Sequence, residues 1–130
     1  MRSDDIMNLR IGTDVIDVER FYNLDTSSRF AKNTFTKKEL SDCKKKQDPV
    51  ASLAVRFAAK EAVRKCTDEP ISFNKIEILN DHTGRPFIHI LDRRVASRYI
   101  FSLSLSHIRT LAHAVCICIS KKRFKATFKE

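Results

Sequence analysis

Between Arg10 and Val18 the chain reads RIGTDVIDV, and its residues sort by parity. Ile11, Thr13 and Val15 fall on one side, Gly12, Asp14 and Ile16 on the other, which is the period of a strand. Helical turns follow between Glu19 and Lys32. Thr36-Lys37-Lys38-Glu39 has the spacing of a capping box, so a short helix is expected from there to about Lys46. Asp48-Pro49 supplies an N-cap and an N1 proline for a long helix to about Cys66. ISFNKIEIL alternates at Ile71 and Phe73, slips phase, and resumes at Ile76 and Ile78, so it reads as one strand. DHTGR is a turn centred on Gly84, and PFIHIL is the next strand. FSLSLS and LAHAVCICIS form a hairpin through HIRT, and the tail KKRFKATFKE is a basic extension from about residue 121. Helices early and strands late predict an α+β fold: one domain over residues 1–130, with a largely antiparallel sheet against the long helix.

Composition narrows the class. Hydrophobic residues make up 42%, too many for a disordered chain, and no apolar run approaches the roughly 20 residues of a membrane span. The start, MRSDDIMNLR, lacks the apolar core of an export signal. None of Cys43, Cys66, Cys116 and Cys118 belongs to a paired CxxC zinc motif, so a reduced, cytoplasmic protein is expected, with Cys116 and Cys118 in the core. Phe21, Phe30, Phe57 and Phe73 are expected there too. The net charge of +9 fits either simple solubility or a polyanionic partner, whether nucleic acid, an acidic protein or a phosphorylated small molecule. Nucleic acid is disfavoured, because the chain has no Trp, two Tyr and no RNA-binding signature.

Two acids break the pattern. On the long helix, Val50, Leu53, Ala54, Phe57, Ala58, Glu61, Ala62 and Lys65 share a side, so Glu61 interrupts an apolar stripe. Asp14 sits in an apolar strand, where aspartate is depleted. Two readings remain open. Glu61 pairs with Lys65 one turn later, or Glu61 and Asp14 jointly hold a divalent cation, with the row Arg56, Lys60, Arg64 beside them for phosphates.

The motifs decide between these readings. IGTDVIDVERF, RFAAKEAVRK, GRPFIHI and LSLSHIRTLAHAV together resemble the holo-acyl-carrier-protein synthases, the small bacterial 4′-phosphopantetheinyl transferases, over roughly Arg10 to Ser120. The resemblance implies a single phosphopantetheinyl transferase-like lobe that moves phosphopantetheine from coenzyme A to a serine of an apo acyl carrier protein, in fatty-acid or related biosynthesis. Adenosine 3′,5′-bisphosphate is the implied by-product. The resemblance also implies Mg²⁺ at Asp14 and Glu61, and catalytic roles for Asp14, Glu61 and Lys65. It places Arg56, Lys60, Lys65, Gly84, Arg85, Pro86, Ser106 and His107 at the coenzyme, and Arg20 at the acidic carrier. A homotrimer with its sites between subunits is implied as well. At one place the chain departs from the family. CTDEPIS stands where a glycine-rich loop is usual, and inward-facing Asp68 and Glu69 there would oppose coenzyme phosphates. A catalytically weak carrier-binding homologue is the alternative that this loop keeps open.

Overall fold

The computed structural model describes residues 9–121. The expected tail from about residue 121 lies outside them except for Lys121, as do the first eight residues of the chain. Strand β1, Leu9–Asp17, runs into a 3₁₀ turn at Val18–Phe21. Two short helices follow, α1 (Arg29–Thr34) and α2 (Lys37–Lys44). The capping box at α2 forms as the spacing requires, with Glu39 N donating to Thr36 Oγ1 and Thr36 N donating to a Glu39 carboxylate oxygen. Helix α3, Pro49–Cys66, starts where Asp48 accepts from Ala51 N. Strands β2 (Ile76–Asn80) and β3 (Pro86–Ile90) pair as an antiparallel hairpin. A short helix α4, Arg93–Arg98, leads into β4 (Tyr99–His107) and β5 (Leu111–Ser120).

The main sheet has the order β1-β5-β4 and is antiparallel throughout. Its inner face carries Gly12, Asp14 and Ile16 from β1 and Ala112, Ala114, Cys116 and Cys118 from β5, packed on α3. All of these except half-buried Asp14 are buried. The α+β architecture, the final hairpin and the core positions of Cys116 and Cys118 are as expected. The outer face is apolar and open: Ile11 and Val15 are each 62% exposed, with Leu111, Ile117, Ile119 and Ile100 beside them. Among the described residues no helix is long and apolar enough to cross a membrane.

Three expectations are corrected. Ile71–Ile78 is not one strand: a 3₁₀ turn occupies Phe73–Lys75, and the strand begins at Ile76. Phe30 is 47% exposed and not core, although its ring lies 6.3 Å from that of buried Phe57. Helix α4 was not anticipated, because its six residues bury only Val95.

Gly12 sets the depth of the sheet–helix seam. A Cβ at this position would run into the carbonyl oxygen of Ala62 and come within 3.0 Å of Cys66 Sγ. Only hydrogen fits there, so β1 and α3 meet backbone to backbone. The side chains flanking that seam are Asp14, one inward position along β1, and Glu61 and Lys65 on α3.

Candidate active site

At the seam, Lys65 Nζ donates to the carbonyl of Thr13 at 2.9 Å and pairs with Asp14 Oδ1 at 3.4 Å. Asp14 is half-buried and Lys65 is exposed. Glu61 lies one turn before Lys65 on the same helix face, half-buried, and makes no hydrogen bond or ion pair with any described residue. Of the two readings of Glu61, the ion pair with Lys65 is absent: Lys65 turns to β1, and Glu61 has no partner among the described residues. Phe57, one turn earlier, carries the Arg20 guanidinium 5.5 Å above its ring. Along α3 the row Phe57, Glu61, Lys65 thus has exposed Arg20 at one end and Asp14 at the other.

The row Arg56, Lys60, Arg64 does something else. Arg56 Nε donates to the carbonyl of Ile78 at 3.2 Å. Lys60 Nζ donates to Phe73 O at 3.0 Å, to Ile76 O and to Glu39 Oε1 at 2.7 Å. Arg64 Nε donates to Ile71 O at 2.8 Å, its guanidinium 3.6 Å above the Phe73 ring. The row fastens α3 to the segment 71–78 through that segment's own carbonyls. Lys60 is fully buried and Arg56 is 4% exposed, and both direct their donors to the protein's own acceptors instead of the open phosphate contacts expected from the sequence. Burial lowers the proton affinity of Lys60, and the adjacent Glu39 carboxylate opposes that fall.

Arg56 bears on the expected coenzyme turn indirectly. Its Nη2 donates to Asn80 Oδ1 at 2.9 Å, and Asn80 Nδ2 donates to Gly84 O at 3.0 Å. Asp81 Oδ1 accepts from Thr83 N and Arg85 N, and Gly84 adopts φ +90°, so the turn is rigidly specified. Hydrogen bonds from Thr83 and Arg85 hold the Asp81 carboxyl below its usual range. Arg85 and Pro86 line a cleft of about 280 Å³ with Ser102, Ser104, Val115 and Ile117. Ser106 and His107 lie at the exposed end of β4 and face opposite sides of the sheet. In the register Asp14↔Ala114↔Leu105, they are two strands across from Asp14. One chain therefore brings Asp14 to Lys65, with Glu61 one turn and Arg20, above Phe57, about two turns back along α3, and places Gly84–Pro86 and Ser106 elsewhere.

The CTDEPIS acids are taken up by the protein's own side chains. Asp68 pairs with Arg10. Glu69 accepts from Arg98 Nη1 at 2.6 Å and from the Tyr99 hydroxyl. The Tyr99 hydrogen bond, followed by Arg98, lowers the Glu69 carboxyl, while burial opposes it. Burial and Glu69 push the Tyr99 phenol up to about 12. These partners were missed in the sequence because they lie about thirty and about sixty residues away from the loop. Gly12 was also passed over, although a glycine on the buried side of a strand signals a close backbone approach.

Comparison with known proteins identifies the family and the fold. The model of the 4′-phosphopantetheinyl transferase superfamily matches residues 10–118. A holo-[acyl-carrier-protein] synthase of Chlorobaculum tepidum is 37% identical over 115 residues, covering 84% of this chain and 97% of that protein. The Chronobacterium ammoniagenes ACPS–CoA complex superposes with a TM-score of 0.73 at 25% identity, over 87% of this chain and 98% of that one. A holo-(acyl-carrier-protein) synthase from Bacillus anthracis, solved with CoA (3′,5′-ADP), has a TM-score of 0.70 at 29% identity, over 83% and 93%. The chain belongs to the 4′-phosphopantetheinyl transferase superfamily, among the holo-[acyl-carrier-protein] synthases.

Proposed function

We propose that the chain transfers 4′-phosphopantetheine from coenzyme A to a serine of an apo acyl carrier protein, with Mg²⁺ as cofactor and adenosine 3′,5′-bisphosphate released. The observation that carries this reading is the Asp14–Lys65 pair at the Gly12 seam, with Glu61 one helical turn before Lys65 and without a partner among the described residues. The relatives named above include two solved with coenzyme A.

The donor set fits a hard cation. Asp14 and Glu61 flank the same seam, and among the described residues Glu61 has no partner and no cluster of three or more His, Cys, Asp or Glu offers a closed protein cage. That is the arrangement for Mg²⁺, which is held by one or two carboxylates and completed by phosphates and water. Asp14 and Glu61 would hold such an ion, which would supply charge neutralisation at the pyrophosphate. The chain's own groups do the rest. The serine oxygen attacks the phosphorus bearing phosphopantetheine, and the bond to the nucleotide phosphate breaks. Glu61 takes the serine proton. Lys65, fixed by Thr13 O, sets its ammonium against the charge growing on the leaving phosphate. Arg20, exposed at the rim on a chain of net charge +9, meets the acidic carrier.

A homotrimer completes this reading. A second copy set against the open face of Ile11, Val15, Ile117 and Ile119 would bury apolar area and bring coenzyme elements to Asp14 that a single chain holds apart. Incubation with apo carrier, coenzyme A and Mg²⁺, followed by the carrier's intact mass, tests the function. A phosphopantetheine adduct that disappears with chelator supports it, and no adduct across several carriers overturns it. Light scattering of the purified protein checks the trimer.

A further inference from the structure

Behind the seam lies a group that the transfer chemistry does not use. Cys66 is the last residue of α3, directly after Lys65, and Cys116 faces it from β5, opposite Gly12 in the sheet register. Cys66 Sγ donates to Cys116 O at 3.2 Å, so the two residues are in direct contact. Both are fully buried and free, between helix and sheet and away from the open outer face. We propose that Cys66 and Cys116 are an oxidisable pair whose disulfide shifts the last turn of α3, and with it Lys65, so that the site responds to oxidation.

The chemistry favours Cys66 as the attacking sulfur. The Cys116 hydrogen bond comes first in lowering its thiol, burial opposes this, and the Gly12 backbone and Arg10 add to the lowering. Cys116 is shifted upward by the same hydrogen bond. Cys118 is pushed up to about 12, and Cys43, on α2 beside Arg56, to about 11, both by burial. Both thiols are buried, so the oxidant reaches them only through local opening of the helix end, where Thr67 is half-buried and Asp68 and Pro70 are exposed. With hydrogen peroxide as oxidant, the Cys66 thiolate attacks one oxygen. The O–O bond breaks, and the products are a sulfenic acid and hydroxide, which takes a proton to become water. Cys116 sulfur then displaces the sulfenic hydroxyl, the S–S bond forms, and a second water leaves. Two thiol protons and two electrons pass to the peroxide.

The consequence for the site rests on the transferase reading. A disulfide sets its two sulfurs about 2.05 Å apart, which draws the end of α3 toward β5. Lys65, one residue earlier, is pulled from Thr13 and Asp14. A displacement of order 1 Å at a positioning group costs up to about a hundredfold in rate.

The test treats reduced protein with stoichiometric hydrogen peroxide. The expected result is a loss of about 2 Da and a proteolytic fragment joining the Cys66 and Cys116 peptides. Transfer falls at least about tenfold and returns with dithiothreitol. The Cys43→Ser/Cys118→Ser variant keeps both responses, and Cys66→Ala loses both. No mass loss, addition of oxygen without linkage, or linkage through Cys43 or Cys118 overturns the proposal. So does linked protein with unchanged transfer. If the reduced protein modifies no carrier, the transferase reading fails on its own. The linkage is still read by mass, and amide exchange of Lys65–Thr67 then reads the shift.

Discussion

Gly12 and Ala62 touch backbone to backbone, and the whole site hangs on that contact. The obstructing atom is the Ala62 carbonyl oxygen, which every residue at position 62 would carry. Gly12→Ala must therefore push β1 off α3. The expected cost is about 1–3 kcal/mol in denaturant unfolding, with loss of transfer even where the variant folds. Ala62→Gly should not rescue it. A Gly12→Ala protein as stable and active as the parent would show that the seam is looser than described.

Glu61 and Asp14 should separate stability from activity. Glu61 has no partner among the described residues, so Glu61→Ala leaves unfolding within about 0.5 kcal/mol of the parent. Asp14→Ala removes an ion pair whose Lys65 side chain is 54% exposed, so it costs under about 1 kcal/mol. Both should reduce transfer by about a hundredfold or more, measured by carrier mass against time. A large stability loss in Glu61→Ala, or full activity in either variant, would contradict the assignment.

The contrast between these acids and the neighbouring cations shows how far sequence pattern reaches. Alternation at Gly12, Asp14 and Ile16 placed Asp14 inward, helical spacing placed Glu61 at the margin of a stripe, and Thr36 and Glu39 announced the start of α2. Each of these is a local rule. The same spacing put Arg56, Lys60 and Arg64 in one row, but periodicity says nothing about what faces a row. Here it is the carbonyls of 71–78, and their capture by the cations turns an expected strand into a 3₁₀ turn at Phe73–Lys75. Asp68 and Glu69 were illegible for the same reason, because their partners Arg10, Arg98 and Tyr99 are brought in by the fold.

Lys60 is the sharpest case. Lys60→Met would leave Glu39, itself fully buried, without its ammonium, at a cost of about 3–5 kcal/mol in unfolding. Because Lys60 does not reach the site, whatever fraction folds should keep the parent KM for coenzyme A. Unchanged stability with a raised KM would restore the phosphate role that its burial excludes.

Arg20 should act on one substrate alone. Arg20→Glu reverses a rim charge while leaving Asp14, Glu61 and Lys65 in place. The expected result is a fall of about tenfold or more in kcat/KM for the carrier, steepest at low salt, with KM for coenzyme A unchanged. Equal loss toward both substrates would place Arg20 in the transfer step instead.

The Glu69–Tyr99 contact makes the CTDEPIS loop sensitive at both ends of the pH scale. Glu69 lies below its ordinary value of 4.5, so the folded state holds its proton less tightly than the unfolded chain does. Its stabilisation is present above about pH 4.5 and is lost as pH falls below that through the folded value. Tyr99 lies above its ordinary value of 10.0, at about 12, so the folded state holds that proton more tightly. Its contribution is full below pH 10 and is lost between about 10 and 12. Tyr99→Phe should flatten the alkaline limb of a stability–pH curve, and it should weaken the acid limb because the leading hydrogen bond to Glu69 is gone. Glu69→Gln should flatten the acid limb and shift the alkaline loss toward pH 10. Denaturant midpoints across the pH range check both limbs, and curves that superpose on the parent at both ends would show that the loop is not held by this pair.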